Sequence, residues 1–110
     1  MANREIKITY EGMEYRLGFS RATVRSMERN GFNLDKVQDA PVTMIPLLFS
    51  GSFLLHHKRV KEEKINEIFK HIENKDDLVS TLAELYIEAV STLMEDPDEG
   101  DSKKATWEVA

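Results

Sequence analysis

The run Val42 to Leu55, VTMIPLLFSGSFLL, carries 14 residues without a single charge and constrains the fold more than any other stretch of the chain. It is shorter than the roughly 20 residues needed to cross hydrocarbon, so it predicts a buried central helix rather than a membrane span. A helix that is apolar on all sides must be covered on all sides, by its own domain or by a partner. Pro46 removes one backbone hydrogen bond and predicts a kink or a late start. Ser50-Gly51-Ser52 forms a narrow waist where another element can approach closely, at a cost of about 1 kcal/mol in helix propensity for the glycine.

The remaining sequence reads as the cover for this helix. With 110 residues, 41% of them apolar, there is material for one core and no second one. Ile6, Ile8 and Tyr10 alternate with charged or polar neighbours, as do Met13, Tyr15, Leu17 and Phe19 beyond Glu11-Gly12, which predicts a β-hairpin over 5–19. Ser20 is placed to cap a helix over about 21–30, with Val24 and Met27 facing the hairpin and Gly31 as its C′ residue. Asp39-Ala40-Pro41 reads as an acidic cap and first-turn proline opening the central helix, about 41–56. Ile65, Ile68, Phe69 and Ile72 space a third helix over about 61–73, closed by Asn74. Asp76 or Asp77 then caps a fourth over about 77–94, whose stripe is Leu78, Val79, Leu82, Leu85, Tyr86, Ala89, Val90, Leu93 and Met94. The expected class is α+β: a hairpin packed on about four helices within 1–94, followed by a disordered acidic tail over 95–110.

Charge and chemistry narrow the function. The tail holds six acidic and two basic residues, leaving 13 basic and 14 acidic residues in the nearly neutral body, and the chain totals −5. That balance argues against general attraction to polyphosphate or anionic membrane. No cysteine is present, so disulfides, thiolate zinc sites and cysteine nucleophiles are excluded. The opening residues lack an apolar signal core, which predicts a cytoplasmic protein. Phosphate-binding GxxxxGK[ST], HExxH and GxSxG motifs are all missing. Ser50 and Ser52 sit in a helical apolar run rather than a strand-to-helix turn, and read as a packing notch. Adjacent His56 and His57 point apart, and His71 lies on another helix, so no metal site is expected. No enzyme activity and no cofactor are expected. Arg21, Arg25 and Arg29, at i, i+4 and i+8, form a basic stripe on the first helix, a solvated face or a contact for an acidic protein or nucleic acid. Trp107, alone in the acidic tail, is either accidental or an anchor for a partner.

The layout, with EIKITYEGMEYRLGF opening a hairpin, DAPVTMIPLLFSGSFLLHH entering an apolar helix, then KINEIFKHI, ELYIEAVSTLME and an acidic tail, resembles the small tail assembly chaperones of long-tailed bacteriophages and prophages. The resemblance is one of layout and covers most of the chain. It implies a non-catalytic factor in the bacterial host cytoplasm that binds the tape measure protein, is displaced as tail tube subunits polymerise, and is absent from the mature virion. A longer frameshifted form would extend the tail. The family resemblance transfers no contact residues, so composition alone nominates Met44, Leu47, Leu48, Phe49, Phe53 and Leu54, with Trp107, as partner-binding. Two or three of the six apolar helix residues are expected at the surface, the rest in the core. Self-association through the same apolar surface is compatible with this reading. The alternative is a small nucleic-acid-binding or transcriptional adaptor using Arg21, Arg25 and Arg29, although the neutral body makes nucleic acid the weaker partner.

Overall fold

A computed structural model describes residues 4–95, 103 and 105–110. Strand β1 (Ile6–Tyr10) pairs antiparallel with β2 (Met13–Leu17), with Ile6 opposite Leu17, Ile8 opposite Tyr15 and Tyr10 opposite Met13. This register puts the apolar residues of both strands on one face. The two-residue turn needs positive φ at both positions, and Glu11 (49°) and Gly12 (78°) supply it. Met13, at the tip, is exposed.

Four helices follow: α1 (Arg21–Arg29), α2 (Pro41–Gly51), α3 (Glu62–His71) and α4 (Lys75–Ser91), with single 3-10 turns at Leu34–Lys36 and Thr92–Met94. The architecture is thus the expected α+β arrangement of a hairpin and four helices. Residues 96–102 and 104 of the expected tail lie outside the described residues, and 105–110 carry no regular secondary structure.

Local chemistry explains most of the boundaries. Ser20 accepts from the Thr23 amide while Thr23 Oγ1 accepts from the Ser20 amide, so two otherwise unpaired donors at the α1 N-terminus are satisfied reciprocally. Gly31, at φ 96°, follows the Asn30 cap as C′ residue. The acidic cap expected at Asp39 does not form: Ala40 is the N-cap of α2 and makes no side-chain bond, while Pro41 occupies the first turn, where its missing N–H costs nothing. Pro46 lies inside α2, with its ring at the exposed side, and the helix runs through it.

The central helix is shorter than predicted. It ends at Gly51 instead of near residue 56, and residues 52–56 continue as turns, with Phe53 N–H donating to Ser50 O and Leu54 N–H to Gly51 O. The Ser52 carbonyl, which a continuing helix would offer to residue 56, accepts from the Gly18 amide of the hairpin exit at 3.1 Å. Helix α3 likewise stops at His71, because Ile72 turns extended. Asn74 does not close α3; it opens α4 in the left-handed region at φ 55°. Asp76 and Asp77 are not caps and fall in the first turn of α4, where their charge suits the helix dipole. Lys75 Nζ meanwhile donates to the Lys70 and Ile72 carbonyls left over at the end of α3.

The core gathers around the end of α2. Phe49 packs edge-on to Phe53 and against Phe69, and Tyr15 of the hairpin meets Phe53. Leu17, Phe19, Leu48, Ile68 and Leu82 complete a cluster drawn from both the hairpin and the helices. Helix α1 packs on α2 and α4, with Val24 and Met27 in the common core and Met27 seated over the waist: a Cβ on Gly51 would come within 2.5 Å of Met27 Sδ and Cε. Glycine at that position is therefore what lets the two helices touch.

Candidate functional site

The polar clusters of the fold are structural fastenings. His57 Nε2 accepts from the Arg16 amide at 3.0 Å, which fixes the hairpin edge to the segment after α2, and its ring stacks edge-on to Tyr15. His56 Nε2 meets the Glu5 carboxylate, and His71 lies on α3 beside Tyr10, 3.4 Å from its hydroxyl. The three histidines thus serve three separate contacts. Among the described residues, no three His, Asp or Glu side chains converge as metal ligands would. Ser50 Oγ donates to the Leu47 carbonyl and Ser52 Oγ to the Phe49 carbonyl, so both hydroxyls bond back into their own helix and neither meets a base.

A further polar seam joins the hairpin tip to α3. Lys64 Nζ bridges Glu11 and Glu67 at 3.3 and 3.2 Å and lies over the Tyr10 ring. The Glu67 carboxylate, hydrogen-bonded and close by, pushes the Tyr10 hydroxyl up to about 12. The same hydroxyl, with Lys64, holds Glu67 below the usual carboxylate range.

The residues nominated for partner binding separate into three groups. Met44, Leu48, Phe49 and Phe53 are buried core, which removes them as a contact surface in this fold. Their apolar character is used up by Tyr15, Phe69 and the other side chains that cover α2. Leu47 and Leu54 are half-buried and line a cleft of about 280 Å³ with Met27, Phe32, Val60 and Ile65. Trp107 is 87% exposed.

The larger apolar surface lies elsewhere. On α4 and the 3-10 turn that continues it, Ile87, Val90, Leu93 and Met94 are 55%, 41%, 64% and 84% exposed, while Leu82, Leu85, Tyr86 and Ala89 of α4 are buried. At about 100° per residue, Ile87, Val90 and Met94 fall on a flank next to the buried stripe, and Leu93 continues the stripe beyond the end of its cover. This flank and α1 enclose a groove. One end, about 300 Å³, is lined by Arg21, Val24, Arg25 and Glu28 against Val90 and Leu93. The other, about 510 Å³, is lined by Glu28, Phe32, Leu34 and Asp35 against Tyr86, Ile87 and Val90. Tyr86 forms its floor, edge-on to Phe19 and Phe32, with its hydroxyl pushed up by burial and by nearby Glu28.

Sequence reasoning assigned Val90, Leu93 and Met94 to the core and passed over Ile87. The signal was present: apolar residues at 85, 86, 87, 89, 90, 93 and 94 cover more of the helix circumference than one buried face can use. Arg21 and Arg25 were singled out in advance, and they stand at the groove rim. Among the described residues, the side chains of both, and of Arg29, make no hydrogen bond or ion pair.

No helix among the described residues is long and apolar enough to cross a membrane. No curated protein and no solved structure matches the chain. A family model described as a domain of unknown function, DUF5055, matches residues 1–110, and the chain belongs to that family.

Proposed function

We propose that this protein is a non-catalytic tail assembly chaperone, which holds the tape measure protein in the bacterial host cytoplasm and helps recruit tail tube subunits. The observation that carries the reading is the exposed apolar flank of α4, opening onto a groove with α1. A contiguous apolar surface beside a filled core suits reversible protein binding better than catalysis. Among the described residues, the polar clusters at His56, His57, His71 and Lys64 fasten the hairpin to the helical part, which supports a binding role. The layout from EIKITYEGMEYRLGF to ELYIEAVSTLME supplies the client class by resemblance.

The first test is the gene neighbourhood, where a tail tube gene upstream and a very long helical reading frame downstream are expected. Co-expression with the product of that reading frame then tests binding directly, the expected result being co-purification of the two proteins with modest salt dependence. A neighbourhood without tail genes, or failure to co-purify, overturns the reading. The three unpaired arginines favour a second reading, a nucleic-acid adaptor, which predicts instead oligonucleotide binding that falls steeply with salt.

A further inference from the structure

The α1–α4 groove has a charge order along its length as well as an apolar floor. Helices α1 and α4 run antiparallel across it, since Arg21, Val24 and Arg25 face Val90 and Leu93 whereas Glu28 and Phe32 face Tyr86 and Ile87. Moving along α1 from its N-terminus, the rim is first basic, at Arg21 and Arg25, and then acidic, at Glu28 and, past the helix end, Asp35. The arginines lack partners among the described residues, so their charge is available to a ligand. From Arg21 to Glu28 is about 10 Å, or two helical turns.

We propose that this groove is a docking site for an amphipathic helix of a partner protein, whose N-terminal turn is acidic and meets Arg21 and Arg25. Basic residues about two turns later meet Glu28 and Asp35. Such a helix runs parallel to α1 and antiparallel to α4, and presents apolar residues at i, i+3 and i+7 to Leu93, Val90 and Ile87 in that order. Its charge order is also the one that its own dipole favours, acids first and bases last, so the groove selects a sequence that is already a good helix.

A second copy of the chain fits this site less well. The exposed apolar helix available for self-pairing is α4, whose first turn holds Asp76 and Asp77 but whose last turn holds no base. Its C-terminal end would bring Glu95, rather than a cation, toward the acidic rim. The assignment rests on the chaperone reading only for the identity of the partner.

The test uses the full chain and two synthetic amphipathic peptides of about 18 residues with the same leucine face. One carries glutamates in its first turn and lysines two turns later, and the other has the reverse order. Fluorescence anisotropy is expected to show the acid-first peptide binding about tenfold tighter, a difference of about 1.4 kcal/mol. Arg21→Glu with Arg25→Glu should remove that preference, and Val90→Glu with Leu93→Glu should abolish binding of both peptides. These residues are exposed, and thermal melts of the variants check that folding is kept. Ile87→Lys gives an independent second disruption.

Equal affinity for both peptides, or no binding of either, overturns the proposal. So does self-association in sedimentation that Val90→Glu removes while no peptide binds, because the occupant is then a second copy. Oligonucleotide binding that competes with the acid-first peptide through the arginines would likewise displace the helix as occupant. The chaperone reading fails separately. If the tape measure protein co-purifies equally well with the Val90→Glu, Leu93→Glu variant, the groove assignment falls and the chaperone stands. If the acid-first peptide binds but no tail protein does, the groove stands and the chaperone falls.

Discussion

Helices α2 and α4 are both rich in apolar residues, yet the fold treats them in opposite ways. Helix α2 contains no charged residue and is the more hydrophobic of the two, but past its exposed first turn, where Val42 is open, it turns inward: Leu48 and Phe49, with Phe53 just beyond its end, are each 1% exposed. Helix α4 alternates apolar residues with Glu84 and Glu88 and has the pattern of an ordinary amphipathic helix, but its end and the 3-10 turn after it expose Ile87, Val90, Leu93 and Met94. The difference shows that exposure follows the supply of covering elements rather than the hydrophobicity of the segment. Four elements converge on the end of α2, whereas the far end of α4 runs past the body that covers its earlier turns.

The largest expected effect tests the buried side of this contrast. Leu48→Asp places a carboxylate at a site only 1% exposed, and unpaired charge burial of that kind exceeds the whole stability of a typical domain of this size when the group stays ionised. We expect loss of the cooperative thermal transition, followed by circular dichroism. A folded Leu48→Asp protein would mean that α2 faces a cavity or the surface, and the comparison with α4 would collapse.

Gly51→Val should come next, at about 1–3 kcal/mol. The added atoms meet Met27, a long side chain that can shift, but Met27 is itself buried and its Cγ would lie 2.8 Å from a Cβ at Gly51. Denaturant unfolding measures the loss. Met27→Ala in the same chain should recover part of it, since the second change removes the obstacle; additive losses would show that Gly51 is required for its backbone rather than for the close approach of α1.

These same residues show what was legible in advance. The hairpin was readable because Glu11-Gly12 interrupts two alternating runs, and the α1 start because Ser20 precedes a periodic stretch. The waist at Ser50-Gly51-Ser52 was readable as a close approach, but not as the end of the helix. Which carbonyl the hairpin would claim is a long-range fact: Ser52 O, just past the end of α2, accepts from Gly18 N. Asn74 was assigned to the wrong helix because a left-handed asparagine closes one helix as readily as it precedes the next. The apolar count nominated Met44, Leu47, Leu48, Phe49, Phe53 and Leu54 for binding, most of them expected in the core; the structure buries four, leaves Leu47 and Leu54 half-buried in a cleft, and exposes an apolar flank at the end of α4. Periodicity states which side of a helix is apolar; it does not state where the covering elements run out.

A smaller effect belongs to the polar seam at the hairpin tip, which sharpens the contrast by asking how much an exposed contact contributes. Glu67 is held below its ordinary pKa by the Tyr10 hydroxyl and then by Lys64. A carboxylate depressed in the folded state stabilises the fold above its unfolded pKa, and that contribution disappears as pH falls through the folded pKa. Glu67→Gln should therefore lower the melting temperature slightly at neutral pH and not at all in acid below both values. Because the seam is exposed, the neutral-pH difference should be small beside that of Gly51→Val. A difference that persists unchanged in acid would assign it to packing against Tyr10 rather than to charge.

The smallest expected effect lies in the 3-10 turn that continues α4. Leu93→Asp changes an exposed side chain and should alter stability by no more than about 0.5 kcal/mol, in contrast to the same substitution at Leu48. Deleting residues 95–110 should also leave the melting temperature nearly unchanged, because Trp107 stands exposed. The informative experiment combines the two. If Leu93 is open to solvent in the free protein, the cost of Leu93→Asp is the same with and without residues 95–110. A cost present only in the full-length chain would mean that this segment covers the α4 flank, with Trp107 its largest apolar side chain. In that case the flank would be shielded until a partner displaces the segment, and affinity for the acid-first peptide should rise on deletion. Equal costs leave the flank open and its affinity unchanged, and the contrast between the two helices then holds in the protein without its partner.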